Sequence, residues 1–222
     1  MAFYPVSLEI EDKLCVVVGG GRVAERKVHG LLACGARLRV VSPELTEGLA
    51  SLVKGGRIAW LERGYQEGDL DGAFLVIAAT DDRDVQLRVY REAVDRKIWL
   101  NVADVPELCS FILPATVRQG DLTISISTGG KSPALARHLR IDLEKSFGEE
   151  YKLLVDILGI LRPAVLAAGG THAENEILFN QLFGEEVLSW IRHRQWEKLK
   201  EYLRTVLGEE VLAGCLRDLP IP

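Results

Sequence analysis

The run Leu14-Cys-Val-Val-Val-Gly-Gly-Gly-Arg-Val-Ala-Glu-Arg-Lys27 constrains this chain more than any other segment. An apolar, β-branched stretch enters Gly19-Gly20-Gly21-Arg22-Val23-Ala24, which fits G-x-G-x-x-A, and a helical pattern follows. In that strand–turn–helix context the motif points to a dinucleotide site. One glycine makes the tight turn, one lets the backbone approach a pyrophosphate, and a small residue at Ala24 lets helix and strand pack closely. The helix N-terminus adds N–H groups and the positive end of its dipole. A tight βα turn in another doubly wound protein leaves the same trace, so the remaining segments have to decide.

Further strands are expected at Arg37–Ser42, Arg57–Trp60, Phe74–Ala79 and Trp99–Val102, with helices at Val23–Cys34 and Asp84–Arg96 between them. This alternation implies βαβ units and a mostly parallel sheet. Right-handed crossovers then put the strand C-terminal ends on one edge, where ligands bind. Gly19–Ala24, Ser42–Glu44 and Ala79–Asp82 share that edge, so Ser42, Pro43, Glu44, Thr80 and Asp81 join Gly19, Gly20, Gly21, Arg22 and Val23 as cofactor-site candidates. Ser42 can reach a ribose hydroxyl, whereas Glu44 stands two residues late for the usual ribose carboxylate. No arginine follows at once to pair a 2′-phosphate, which favours NAD over NADP.

The middle changes character. Phe111–Val117 and Leu122–Thr128 are two β-rich runs joined by Arg118-Gln-Gly-Asp121, read as a hairpin with a four-residue loop. After Gly129-Gly130-Lys131, Ser132 can cap a helix that starts at Pro133. Leu135, Leu139, Leu143 and Phe147 form a stripe on that helix, read as core or as a subunit interface. Arg118, Lys131, Arg137 and Arg140 outweigh Asp121, a local excess of positive charge within a chain of net charge −5. Beside a nucleotide site such a patch suits a small anionic substrate, although each residue singly also reads as solvated surface. The overall charge argues against nucleic acid as a partner. Beyond Glu149 the pattern is helical, with helices expected at Tyr151–Leu166, Glu174–Phe183 and Glu185–Leu207, and with His172 and His193 on the surface.

Four scattered cysteines without a C-x-x-C pair argue against a zinc site or a disulfide framework and suit a reducing cytoplasm. No uncharged apolar run is long enough to span a membrane, and Met1-Ala-Phe-Tyr-Pro5 does not read as a signal peptide.

Five ordered motifs make the chain resemble the precorrin-2 dehydrogenase / sirohydrochlorin ferrochelatase family, the dehydrogenase part of siroheme synthases. They are Val18–Lys27, Ala78-Ala-Thr-Asp-Asp82, Asn101-Val-Ala-Asp104, Ser110-Phe-Ile-Leu-Pro114 and Ser127-Thr-Gly-Gly-Lys-Ser-Pro-Ala-Leu-Ala-Arg137. The resemblance implies an α/β fold with a Rossmann NAD-binding domain over 1–113, a central dimerisation and substrate region over 114–148 and a helical domain over 149–222. It implies oxidation of precorrin-2 to sirohydrochlorin by NAD, in some members followed by ferrous iron insertion, in a homodimer. Asp104 matches the family's catalytic aspartate. The resemblance implies a substrate that carries eight carboxylates, which gives the basic patch a purpose, so Arg118, Lys131, Arg137 and Arg140, together with Asn101 and Thr128, are the substrate-site candidates. His138, in the same stretch, reads as a packed helix histidine. Thr128 stands where some relatives carry a serine that can be phosphorylated. No set of fixed metal ligands is evident, so iron would be a transient substrate.

Three other readings stay open at this stage. They are a dehydrogenase served by a separate chelatase, a non-catalytic NAD sensor, and a tetrapyrrole carrier.

Overall fold

A computed structural model describes residues 3–222. Met1 and Ala2, which open the N-terminal run read above, lie outside the described residues. The chain divides into two compact units, Met1–Leu113 and Pro114–Pro222.

The first unit is a five-stranded, all-parallel sheet. In chain order its elements are β1 (Leu14–Val18), α1 (Arg22–Leu32), β2 (Arg37–Ser42), α2 (Glu47–Lys54), β3 (Ala59–Glu62), β4 (Leu75–Ala78), α3 (Arg83–Asp95) and β5 (Trp99–Val102). The strand order is β3-β2-β1-β4-β5. Chain direction across the sheet therefore reverses between β1 and β4, the switch point where open α/β sheets hold ligands. Strands covered on both faces read as continuous apolar runs, and Cys15–Val18 and Leu75–Ala78 are buried throughout. The strand period of two sends alternate residues to separate cores. Cys15, Val17, Val40 and Ile77 pack with Ala24, Val28 and Leu31 of α1 and Leu49 of α2. Val16, Val18, Val76 and Ala78 pack with Val89 and Ala93 of α3.

The second unit opens with an antiparallel hairpin, β6 (Ala115–Gln119) and β7 (Leu122–Ile126). Six helices follow: α4 (Pro133–Ser146), α5 (Glu149–Ala167), α6 (His172–Gln181), α7 (Glu185–Arg192), α8 (Trp196–Leu207) and α9 (Glu209–Cys215). Their core is built from Leu154, Ile157, Leu161, Leu188, Leu199 and Leu203, among others.

Several expectations need correction. The third strand lies two residues later than Arg57–Trp60, because Arg39 pairs with Ala59 and Ser42 with Glu62. Phe111–Pro114 is not strand. The hairpin turn is two residues long rather than four: Gln119 pairs with Leu122, and Gly120 takes the left-handed φ of 59° that such turns need. Residues 185–207 are two helices, since the chain reverses at Arg194 with φ 54°. The α4 stripe is not core: Leu135 and Leu139 are 48% and 39% exposed, and Ala136 is the buried residue of that helix. Ser132 does cap α4, accepting a hydrogen bond from Leu135 N at 3.2 Å, with Pro133 next.

Candidate functional site

Three loops meet at the C-terminal edge of the first sheet, and the glycines dictate how closely. Gly19 has φ 118°, and a Cβ there would lie 2.3 Å from the Ala79 carbonyl oxygen. A Cβ on Gly20 would lie 1.9 Å from Glu44 O and 2.7 Å from Ser42 Oγ. Only residues without a side chain let the β2–α2 and β4–α3 loops close on the β1–α1 turn from both sides. Backbone bonds lock that approach: Gly19 N donates to Val41 O at 2.9 Å, Thr46 N to Gly20 O at 3.0 Å, and Ala79 N to Val18 O at 2.7 Å. Gly21 differs. A Cβ there would meet nothing within 4 Å, so this glycine faces open space.

That space is a cleft of about 820 Å³. Gly21 is the N-cap of α1, whose first intrahelical bond runs from Glu25 N to Gly21 O at 3.0 Å. The N–H groups of Arg22, Val23 and Ala24 have no intrahelical partner and leave the helix dipole open to an anion. Arg22 and Val23 line the cleft. Pro43 and Glu44 line it as exposed residues, whereas Ser42 is 7% exposed, packed against Gly20. Thr80 and Asp81 line the opposite side. The structure therefore brings together every cofactor-site candidate of the sequence reading.

Two polar residues of the lining escaped that reading. Thr46 caps α2 through a bond from Leu49 N to its Oγ1 at 3.3 Å. Gln86, 6% exposed, donates from Nε2 to Thr80 O at 2.7 Å and holds the β4–α3 loop in place. Both signals were local: Thr-Glu before an apolar stretch for the cap, and a glutamine one turn into α3.

Asp104 also lines the cleft, exposed, just beyond β5. Val105 N donates to Val102 O at 3.3 Å, closing a turn in which Asp104 has φ 61°. An L-residue in the left-handed region is strained by about 1–2 kcal/mol, less for Asp and Asn. Side chains brace this turn from the open edge of β5. Cys109 Sγ accepts from Val102 N at 3.2 Å and donates toward Val102 O and Val105 O, each at 3.3 Å. Ser110 Oγ accepts from Leu100 N at 2.8 Å. Burial pushes the Cys109 thiol up, which makes it a poor nucleophile and a brace.

Asn101 is not part of the cleft lining. Buried at 9% exposure, its Nδ2 donates to Phe111 O at 3.1 Å and lies 3.6 Å from Cys109 Sγ. Its amide fastens the segment after β5 and is not presented to the cleft, contrary to the contact expected of it.

The remaining candidates belong to the second unit. Arg118, Lys131 and Arg137 are exposed there. Arg140 forms an ion pair with Glu144, so its charge is largely committed, and Thr128 Oγ1 accepts from Ser132 N at 3.1 Å. His138 is exposed rather than packed, its Nε2 3.3 Å from Asp142.

Residues 6–115 match the family described as "Putative NAD(P)-binding", and residues 119–146 match "Sirohaem biosynthesis protein central". The siroheme synthase of Methylobacillus flagellatus is 42% identical over 96% of this chain and 48% of its own length. The siroheme synthase of Pseudomonas aeruginosa is 40% identical over 99% of the chain and 46% of its own length. The chain thus spans about half the length of these curated relatives. Among solved structures, a precorrin-2 dehydrogenase, SirC, superposes with a TM-score of 0.75 at 25% identity, covering 92% of this chain and 98% of that one.

Proposed function

The chain belongs to the family that joins the precorrin-2 dehydrogenases to the dehydrogenase part of siroheme synthases, and from that premise we propose that it oxidises precorrin-2 to sirohydrochlorin with NAD⁺. The observation that carries the reading is a single cleft that combines a glycine-built anion cradle with a strained aspartate on its wall.

The residues present fit the nucleotide. Open space at Gly21 lets a pyrophosphate reach the free amides of Arg22 and Val23, while Pro43–Glu44 and Thr80–Asp81 flank the rest. No cation follows β2 at Pro43–Glu44, which supports NAD over NADP. When bound, NAD⁺ supplies the hydride acceptor. What the chain must add is an acceptor for the proton that leaves with the hydride, and of the cleft carboxylates Glu44, Asp81 and Asp104 the strained turn of Asp104 supports assigning it that role. An aspartate kept where glycine would be less strained is the kind of outlier that function maintains. Lys131 and Arg137 are exposed cations that suit the carboxylates of a tetrapyrrole.

Ferrous iron is a second substrate under this reading. Its insertion requires the ring to lose two protons, and a carboxylate acceptor suffices without fixed metal ligands. We also assign homodimerisation to the second unit, supported by the exposed Leu135 and Leu139 within the segment that matches the sirohaem central family. The four cysteines are free thiols, in keeping with a cytoplasmic setting.

The test is an anaerobic assay of precorrin-2 with NAD⁺, followed by absorbance, with Fe²⁺ or Co²⁺ added afterwards. The expected result is sirohydrochlorin formed only with NAD⁺, then metal insertion faster than without protein. Formation without faster insertion refutes the chelatase half alone. No formation while NAD⁺ still binds refutes the enzyme reading in favour of a sensor or carrier.

A further inference from the structure

We propose that Gln86 is a positioning residue for the bound nucleotide: it turns the Thr80–Asp81 peptide so that the Asp81 N–H is presented to an oxygen of the nicotinamide half. This rests on the dinucleotide reading of the cleft given above.

The side chain of Gln86 is held at both ends. Its Nε2 donates to Thr80 O at 2.7 Å, and its Oε1 accepts from Arg83 Nη1 at 3.1 Å. A carbonyl can only accept and a guanidinium can only donate, so these partners leave the amide one orientation. Gln86 is 6% exposed, and its backbone N–H donates to Asp82 O at 3.0 Å in the first turn of α3, so helix and core fix where the amide stands. The loop is pinned on both sides of the Thr80 carbonyl as well. Ala79 N donates to Val18 O at 2.7 Å, and Asp82 N to Thr80 Oγ1 at 3.2 Å.

One donor of this loop is left over. In a trans peptide the C=O and N–H point in opposite directions, and no peptide bond among the described residues is cis. With Thr80 O drawn toward Gln86, the Asp81 N–H of the same peptide group points away from Gln86. Among the described residues nothing accepts from it. Asp81 is exposed and lines the cleft, so a ligand there is the acceptor within reach. The topology says which part of the ligand. In a doubly wound sheet the position after β2 marks the adenosine ribose, so the adenosine half lies on the β2 side of the switch point and the nicotinamide half on the β4 side. Thr80 and Asp81 follow β4.

Titration calorimetry with NAD⁺ and with ADP, which lacks the nicotinamide nucleotide, on wild type, Q86L, Q86E and R83A tests this. Q86L removes both bonds of the amide at nearly constant volume. Q86E keeps an acceptor for Arg83 and sets a carboxylate oxygen against Thr80 O. R83A removes the other partner, an exposed arginine whose further contact is Glu107 at 3.9 Å. Both Gln86 variants are expected to bind NAD⁺ roughly five- to tenfold more weakly, the worth of one hydrogen bond, and to bind ADP as wild type does. R83A changes neither affinity by more than about twofold. Wild-type ADP binding also shows that a variant is folded; should Q86L alone fail to bind it, Q86E decides. Equal loss of NAD⁺ and ADP in both Gln86 variants makes the residue a support of the whole cleft and overturns the proposal. Unchanged NAD⁺ affinity in these variants, or an R83A protein as impaired as Q86L, overturns it too. A wild-type protein that binds neither nucleotide refutes the dinucleotide reading itself.

Discussion

Gly20 and Gly21 are neighbours in one motif, and the structure gives them opposite reasons for being glycine. A methyl at Gly20 would stand 1.9 Å from Glu44 O and 2.7 Å from Ser42 Oγ. Ordinary contact begins near 3.4 Å, so the β2–α2 loop would have to withdraw by about 1.5 Å. That withdrawal breaks the 3.0 Å bond from Thr46 N to Gly20 O and disturbs the cap of α2. Overpacking of this kind costs about 1–3 kcal/mol, which in a unit of this size lowers Tm by roughly 5–15 °C. At Gly21 nothing lies within 4 Å, and φ is −83°, open to any residue. Gly21→Ala therefore costs the fold only about 0.5 kcal/mol, the difference between alanine and glycine at an N-cap. Its methyl instead occupies the open space assigned above to the pyrophosphate. Losing one N–H contact to an anion, about 1.5–3 kcal/mol, raises the NAD⁺ Kd roughly 10- to 150-fold. Thermal melts by circular dichroism and titration calorimetry with NAD⁺ separate the two cases. Unchanged NAD⁺ affinity in Gly21→Ala would falsify the placement of the pyrophosphate. An unchanged Tm in Gly20→Ala would show that the loops are not held as close as the fold requires.

Asp104→Asn keeps a side chain that tolerates φ near 60°, so Tm stays within about 2 °C while turnover falls at least roughly 100-fold. Asp104→Ala loses turnover equally and also costs about 1 kcal/mol for a left-handed alanine, visible as a lower Tm. Arg137→Ala raises KM for the tetrapyrrole several-fold, about the value of one exposed ion pair, and leaves NAD⁺ affinity unchanged; equal loss of both would point to misfolding. Tyr65→Phe removes the hydroxyl that donates to buried Glu92 and destabilises the first unit by about 1–2 kcal/mol in urea melts. Burial, first, and the bond to Glu92 raise the Tyr65 phenol above its unfolded value of about 10. Its contribution is therefore complete below that pH and is lost as pH rises beyond it, so wild type should lose stability in alkali more steeply than Tyr65→Phe.

What the sequence made legible was whatever local pattern encodes. β1, β2 and β5 carry their apolar runs to bounds set by polar or turn residues, and the structure ends them at the same places. Helix α4 begins where a serine cap and a following proline demand. Long-range placement was not legible. Gly20 occupies the free position of G-x-G-x-x-A, and nothing in the motif says that Glu44 O presses on it. Asn101 looked available for substrate because its spacing from Asp104 says nothing of Phe111 O ten residues on. Helix α2 carries little local signal, because Glu47–Lys54 is short and begins with Glu-Gly, and its cap at Thr46 depends on a loop fixed by Gly20. The break at Arg194 was hidden by apolar spacing that continues through it.

Asp104 joins these threads, because it is where local preference and tertiary demand disagree. A turn whose third residue has φ 61° prefers glycine, and the chain has glycine at many other such positions. Here it keeps an aspartate and surrounds it with supports. The thiol of Cys109 holds Val102 and Val105 on either side of the turn, Ser110 continues the edge of β5, and Asn101 fastens the segment that carries both. Each support is neutral and faces backbone, so together they fix a geometry and leave the charge of Asp104 to whatever enters the cleft. Such a frame implies an order of effects. Cys109→Ala removes one brace from a turn that others still hold, so kcat should fall only a few-fold, about what one hydrogen bond of roughly 1 kcal/mol commands. Asp104→Gly should leave the turn at least as relaxed as in the wild type and abolish turnover. A Cys109→Ala protein as inactive as Asp104→Gly would mean that the thiol acts in the chemistry itself, and the reading of this loop as a frame for one carboxylate would fail.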